Sequence, residues 1–202
     1  NNIEISFNEG PKIEIKGSNF EKYKVEFING ETNKIVHSSV ITNNMWTKCN
    51  KSYFIPWVIK LNGKVIHKLD LKDKNVKITL DSKSIGDTIA WTPQVIEFAK
   101  KHQCKVIVST FHNNWFKNLP EYKNIKFIKP GESCSAYAQY KIGWFKNSDG
   151  NFKNFDDHPT QPNTIPLIQT STDILGLEYK ELNYGVDFNI GEKPIQGKYV
   201  VF

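Results

Sequence analysis

Asp87 follows a glycine where a β-forming run ends and a helical period begins, in the stretch LDSKSIGDTIAWTP (80–93). Ligands of open α/β sheets bind beyond the carboxyl ends of the strands. A carboxylate placed there can take the proton of an incoming hydroxyl as general base, and Gly86 lets a ligand or another backbone come close. The same acid is also a good helix cap and a favourable partner of the helix dipole. Bonds from helix N–H groups would make it a weaker base. On spacing alone the cap is the simpler reading.

Other residues offer weaker signals. His112, in FHNNW after the Ser109-Thr110 pair, can share a cleft with Asp87, although a lone loop histidine is more often merely exposed. The run YAQYKIGWF (137–145) gathers Tyr140 and Trp144 around Gly143. Such ring faces stack on sugars, yet an aromatic cluster is more often core. DDHP (156–159) reads as a metal-ligand group or, better, as a turn before Pro159. No GxGxxG or P-loop pattern is present, so dinucleotide binding and NTP hydrolysis have no support. The three cysteines, Cys49, Cys104 and Cys134, are widely spaced and form no CxxC. They read as reduced thiols rather than a disulfide or metal framework, and no metal is placed on this chain.

The 202 residues carry a net charge of +6, all of the positive charge from lysine, with no arginine. Without guanidinium forks, bidentate reading of phosphates or guanine edges is closed. The lysines are spread along the chain, so a sequence-reading nucleic-acid partner is not expected, whereas an anionic small substrate remains open. No apolar run is long enough to span a bilayer, and no leader pattern opens the chain. A first residue other than Met and a β-forming KYVVF at the end lead us to expect a chain cut from a longer product.

Residues 3–70 alternate apolar and polar residues in short strands. Turn signals (Asn8-Glu9-Gly10, Asn29-Gly30, Asn62-Gly63) separate them. The expectation is a small antiparallel sandwich or barrel over 1–73, interrupted by an aromatic-rich loop at 43–57. From residue 74 the pattern becomes strand (NVKITL), helix (DTIAWTPQVIEFAKKHQ), strand (CKVIVST), short turn (NNWFKNL) and strand (NIKFIKPG). That alternation predicts a parallel sheet with crossover helices over 74–193. Pro93 implies either a helix start at Thr92-Pro93 or an irregular first turn. A second helix is predicted within 164–177, closed by Gly176. Residues 194–202 read as a linker and the first strand of a further domain.

Several segments, taken together and in order, resemble the autotransporter heptosyltransferases of glycosyltransferase family 9. They are EGPKIEIKG, NNMWTKCNKSYFIPW, SKSIGDTIAWTPQVIEFAKKHQCKVIVSTFHNNWF, YKIGWF, HP, IPLIQTSTDILGL and GKYVVF. The resemblance implies the Rossmann-like N-terminal, acceptor-side half of a GT-B enzyme, preceded by a small antiparallel β domain and cut at the start of the donor half. It implies inverting transfer of heptose from ADP-heptose to Ser hydroxyls of an autotransporter adhesin, in the cytoplasm, with Asp87 as the base. Ser84, Gly86, Thr88 and Trp91 would then shape the pocket, with Lys83 turned toward ADP and His112, Tyr140 and Trp144 as further substrate contacts. No cofactor is expected on this chain. The cysteine-ligated iron of the group would sit in the other half, and the full-length protein would be a homo-oligomer. The alternatives are a lipopolysaccharide-core heptosyltransferase and a non-catalytic carbohydrate- or protein-binding module.

Overall fold

The computed structural model describes residues 2–18, 20–182 and 185. The expected strand at KYVVF lies outside these. Eleven strands are formed among the described residues. In chain order they are β1 (Asn2–Asn8), β2 (Lys12–Lys16), β3 (Lys22–Asn29), β4 (Ile35–Thr42), β5 (Met45–Lys48) and β6 (Trp57–Leu61). After them come β7 (Lys64–Lys68), β8 (Asn75–Leu80), β9 (Lys105–Ser109), β10 (Lys126–Ile128) and β11 (Ala138–Ile142). Helix α1 (Ile85–His102) joins β8 to β9, and α2 (Leu167–Leu175) follows β11.

Two sheets result. The larger has the order β10-β9-β8-β11-β1-β2-β5, with β10 through β1 parallel and β1-β2-β5 antiparallel. The smaller is antiparallel, in the order β4-β3-β6-β7. The first 73 residues therefore do not make a sandwich of their own. Strand β1 pairs in parallel with β11, Phe7 opposite Ala138, so the first hairpin extends the α/β sheet. One core runs through both sheets, from Phe27 and Trp57 through Phe7 and Ile13 to Ile78 and Val108. No break in it falls at residue 73. The stretch 43–57, expected as a loop, contains β5 and sends Phe54 against Phe98 and Tyr140.

Turn chemistry behaves as the residue types require. Asn62-Gly63 closes β6-β7 with both residues at positive φ (50° and 79°), the two-residue turn whose twist matches the strands. Gly176 caps α2 in the left-handed conformation, and a Cβ there would come within 2.4 Å of the Phe54 ring.

Helix α1 starts at Ile85, before Pro93, so the proline lies inside it. Near it the Thr92 hydroxyl donates to the Thr88 carbonyl (2.6 Å), and the Thr88 hydroxyl to the Ser84 carbonyl (2.9 Å). These side-chain bonds hold the first turns where the proline supplies no N–H. Trp91, Val95 and Phe98 recur at helical spacing and are buried where the helix meets β8 and β9.

At the other end of α1, His102 lies between Phe54 and Phe98, ring centroids 4.7 and 4.5 Å away. Burial, reinforced by Lys101, lowers its pKa to about 4. Its Nε2 is enclosed and without a partner among the described residues. In the unfolded chain the ring takes a proton near 6.5, so the folded state binds fewer protons between these values. Stability present above pH 6.5 is therefore expected to fall as pH drops toward about 4. A urea titration series across that range checks this, and His102→Gln should flatten the profile.

Candidate active site at the carboxyl edge of the parallel sheet

Strands β8 and β11 are parallel neighbours in the sheet, and from β8 the chain crosses to β9 on the side away from β11. Ligands of open α/β sheets bind beyond such carboxyl ends. Asp87, third residue of α1, sits beyond β8, while Trp144 follows β11.

The two loops meet at one oxygen. The Ser82 hydroxyl donates to Asp87 Oδ2 at 2.6 Å, and Trp144 Nε1–H donates to the same atom at 2.9 Å. Ser82 Oγ in turn accepts from the Ser84 N–H at 3.0 Å. The donors to Asp87 are thus side chains from two loops, not backbone amides of α1. The Ser84 side chain makes no cap bond either. Among the described residues nothing donates to Oδ1. Asp87 keeps 8% of its surface exposed.

Two lysines stand over aromatic rings of the neighbouring loops. Lys83 Nζ lies 5.4 Å from the Phe111 ring centroid, and Lys146 Nζ 5.3 Å from that of Trp144. His112 Nε2 is 3.0 Å from the Lys83 carbonyl. A carbonyl only accepts, so Nε2 carries the hydrogen. The ring also stacks on Trp115 with centroids 4.1 Å apart. His112 therefore ties the loop after β9 to the loop before α1, and no bond joins it to Asp87.

Three of the expected substrate contacts are corrected by burial. Trp91 is fully buried, and its Nε1–H is spent on the Leu167 carbonyl at 3.0 Å. Thr88 is fully buried, its hydroxyl bonded back to Ser84. Tyr140, on an inward position of β11, packs against Phe54 and Phe98. These side chains support the site from beneath and present no surface to a ligand. Gly86 has open space where a Cβ would stand and borders a cavity of about 320 Å³ with Ile89, Pro93 and Ile168. Nothing described here forces glycine at that position. Lys83 and Ser84 are exposed, and Trp144 is half-buried.

Two contributors escaped the sequence reading. Ser82 differs from Ser84 only by its place in the SKS run, and its role appears only once the loop has folded back. Lys146 depends on Phe145, which turns the chain at φ 44°. The DDHP segment forms turns rather than a ligand cluster, with His158 buried and its Nδ1 accepting from Thr160 N–H. No group of three or more His, Cys, Asp or Glu side chains converges on a metal position among the described residues. Burial raises the Cys104 thiol to about 12 and also raises Cys49.

Fold and site together define a mixed α/β protein with a clamped carboxylate at the carboxyl edge of its parallel sheet. Known relatives give that class a narrower setting. Autotransporter heptosyltransferase Aah of Escherichia coli is 29% identical over 209 residues, 99% of this chain and 51% of Aah. Autotransporter heptosyltransferase TibC of enterotoxigenic E. coli is 24% identical over 207 residues, 98% of this chain and 48% of TibC. BimC of Burkholderia thailandensis, an inactive autotransporter heptosyltransferase, is 23% identical over 157 residues, 74% of this chain and 36% of its own.

The crystal structure of TibC, an iron-containing dodecameric glycosyltransferase, superposes with a TM-score of 0.79 at 21% identity, over 95% of this chain and 50% of TibC. A TibC complex with ADP-D-β-D-heptose gives 0.78 over 96% and 50%. No protein-family model matches the chain. The resemblance to autotransporter heptosyltransferases thus holds along nearly the whole sequence, and the chain spans about half the length of those relatives. No helix among the described residues is long and apolar enough to cross a membrane.

Proposed function

We propose that this chain is the acceptor-side, Rossmann-like half of a GT-B heptosyltransferase that modifies an autotransporter adhesin in the cytoplasm. Asp87 is its general base. The observation that carries this reading is the one-sided clamp: Ser82 and Trp144 hold Oδ2, and Oδ1 is left without a donor. A base needs that combination, a fixed carboxylate with one oxygen available for the proton of the attacking hydroxyl.

In the reaction the acceptor Ser gives its proton to Oδ1 as its oxygen bonds to the anomeric carbon of the heptose. The bond from that carbon to the diphosphate breaks on the opposite face, and ADP departs with the electron pair. Attack and departure on opposite faces invert the anomeric centre. Lys83 and Lys146, both exposed, supply positive charge for an anionic leaving group. Donor binding belongs to the half of the relatives that this chain does not cover, and any iron of the TibC kind belongs there as well. Assembly into a homo-oligomer is part of the same reading.

Mass spectrometry provides the test. A protein containing this chain, incubated with ADP-heptose and an autotransporter passenger fragment, should add heptose to Ser residues of the passenger. Transfer to lipopolysaccharide core instead would favour the other acceptor class. Binding without any transfer would favour a non-catalytic module, the reading that the match to the inactive BimC supports.

A further inference from the structure

Beside the clamped carboxylate lies a larger opening that the catalytic reading leaves unused. It is a cavity of about 640 Å³ over the ends of β9 and β10. Thr110, Asn113, Asn114, Lys117, Phe127 and Lys129 line it. Asp87 does not. The two places are nevertheless joined, because Phe111 belongs to the cavity wall and also carries the Lys83 ammonium, and His112 beside it holds the Lys83 carbonyl.

The geometry points to this cavity as the seat of the polypeptide acceptor, an extended segment with acidic side chains around the target hydroxyl. This rests on the transferase reading above and adds the substrate chemistry. Three features set the ligand's character. Asn113 Oδ1 is shut off from solvent and has no hydrogen-bond partner among the described residues, so it seeks an N–H or O–H donor. Lys117 and Lys129 are exposed cations, which outnumber the single acid on the wall, Glu132, and seek carboxylates or carbonyls.

Among the described residues strand β10 ends the sheet, with a strand neighbour on one side only, in parallel register with β9. A free strand edge is the usual seat of an extended peptide. Phe127, stacked on Phe116 with centroids 6.1 Å apart, provides an apolar floor. A polypeptide brings donors, carbonyls and carboxylates at once. A nucleotide diphosphate brings concentrated negative charge and lacks the extended backbone that an open strand edge reads.

Fluorescence anisotropy with labelled synthetic peptides tests the assignment. One peptide carries a central Ser flanked by Asp and Glu, and a second carries Lys in the flanking places. The acidic peptide should bind the wild-type chain, and the basic one should bind far more weakly. Reversing both cations, K117E with K129E, should weaken the acidic peptide by about tenfold or more and strengthen the basic one. Asn113→Leu should weaken both, and the conservative pair K117R with K129R should keep the preference for acid.

An undiminished preference of the double-reversal variant for the acidic peptide, at an unchanged melting temperature, would overturn the assignment. So would displacement of the bound peptide by ADP. Failure of the transferase reading shows differently: charge-dependent peptide binding would persist while no heptose is transferred. Transfer insensitive to Lys117 and Lys129 would sink the groove and leave the transferase reading intact.

Discussion

Replacing Asp87 with Asn is expected to slow heptose transfer by roughly 10²–10⁴-fold in an active protein containing this chain, with little change in stability. The clamp explains why the two effects separate. Both donors, the Ser82 hydroxyl and the Trp144 indole N–H, point at the same oxygen. An asparagine can offer its carbonyl oxygen to both and place its NH₂ where Oδ1 stood. The hydrogen bonds survive, but the position that took a proton now holds a donor. Asp87→Ala differs, because it strands two donors that are out of bulk solvent, and it should also cost about 1–3 kcal/mol of stability. Initial rates of transfer, measured beside urea unfolding of each variant, check both statements. A wild-type rate for Asp87→Asn would remove the base assignment.

The second large effect concerns Trp91. Trp91→Ala is expected to cost about 3–5 kcal/mol of folding stability, the range for emptying a buried aromatic site. The side chain is completely enclosed and tilts against Trp144, centroids 6.1 Å apart. Its N–H binds the Leu167 carbonyl and so fastens α1 to the start of α2. Loss of the ring would loosen the helix pair and the indole that holds Asp87. Trp91→Phe keeps most of the volume and should lose only about 1–2 kcal/mol, in part through the missing N–H bond. Chemical denaturation gives these values directly. A Trp91→Ala protein of normal stability but weakened ligand affinity would restore the direct substrate contact that burial argues against.

The fold was legible where local chemistry decides it. The Asn62-Gly63 hairpin, the β8-α1-β9 alternation and the Gly176 helix end all follow from residue type and period. Long-range pairing was not legible. Strands β1, β2 and β5 alternate like any antiparallel hairpin, and nothing local says that β1 will lie beside β11. Strand β11 itself was hidden, because the polar Gln139 and Lys141 between its buried residues made YAQYKIGWF read as an aromatic cluster. Pro93 left open a start at Thr92-Pro93 or an irregular first turn, and the helix in fact runs from Ile85 with the Thr88 and Thr92 hydroxyls bonded back along it.

The candidate site shows the same division. Asp87 could be singled out from a glycine, an acid and a junction. Which neighbours face it depends on loop conformation, so Ser82 was missed. Trp91 and Thr88 were chosen for proximity along the chain and Tyr140 for its place in an aromatic run, and neither reveals the direction of a side chain. The choice between cap and base rests on the identity of the donors, and these are side chains from two loops.

The pairing of Phe7 with Ala138 has a consequence for how the molecule is made. Strand β1 has no parallel partner until β11, far along the chain, has been synthesised. Contacts so distant along the chain are slow to form. During that wait Ile3, Ile5 and Phe7 must be kept from pairing with foreign strands. A substitution in β1 that disturbs them should therefore lower the yield of folded protein.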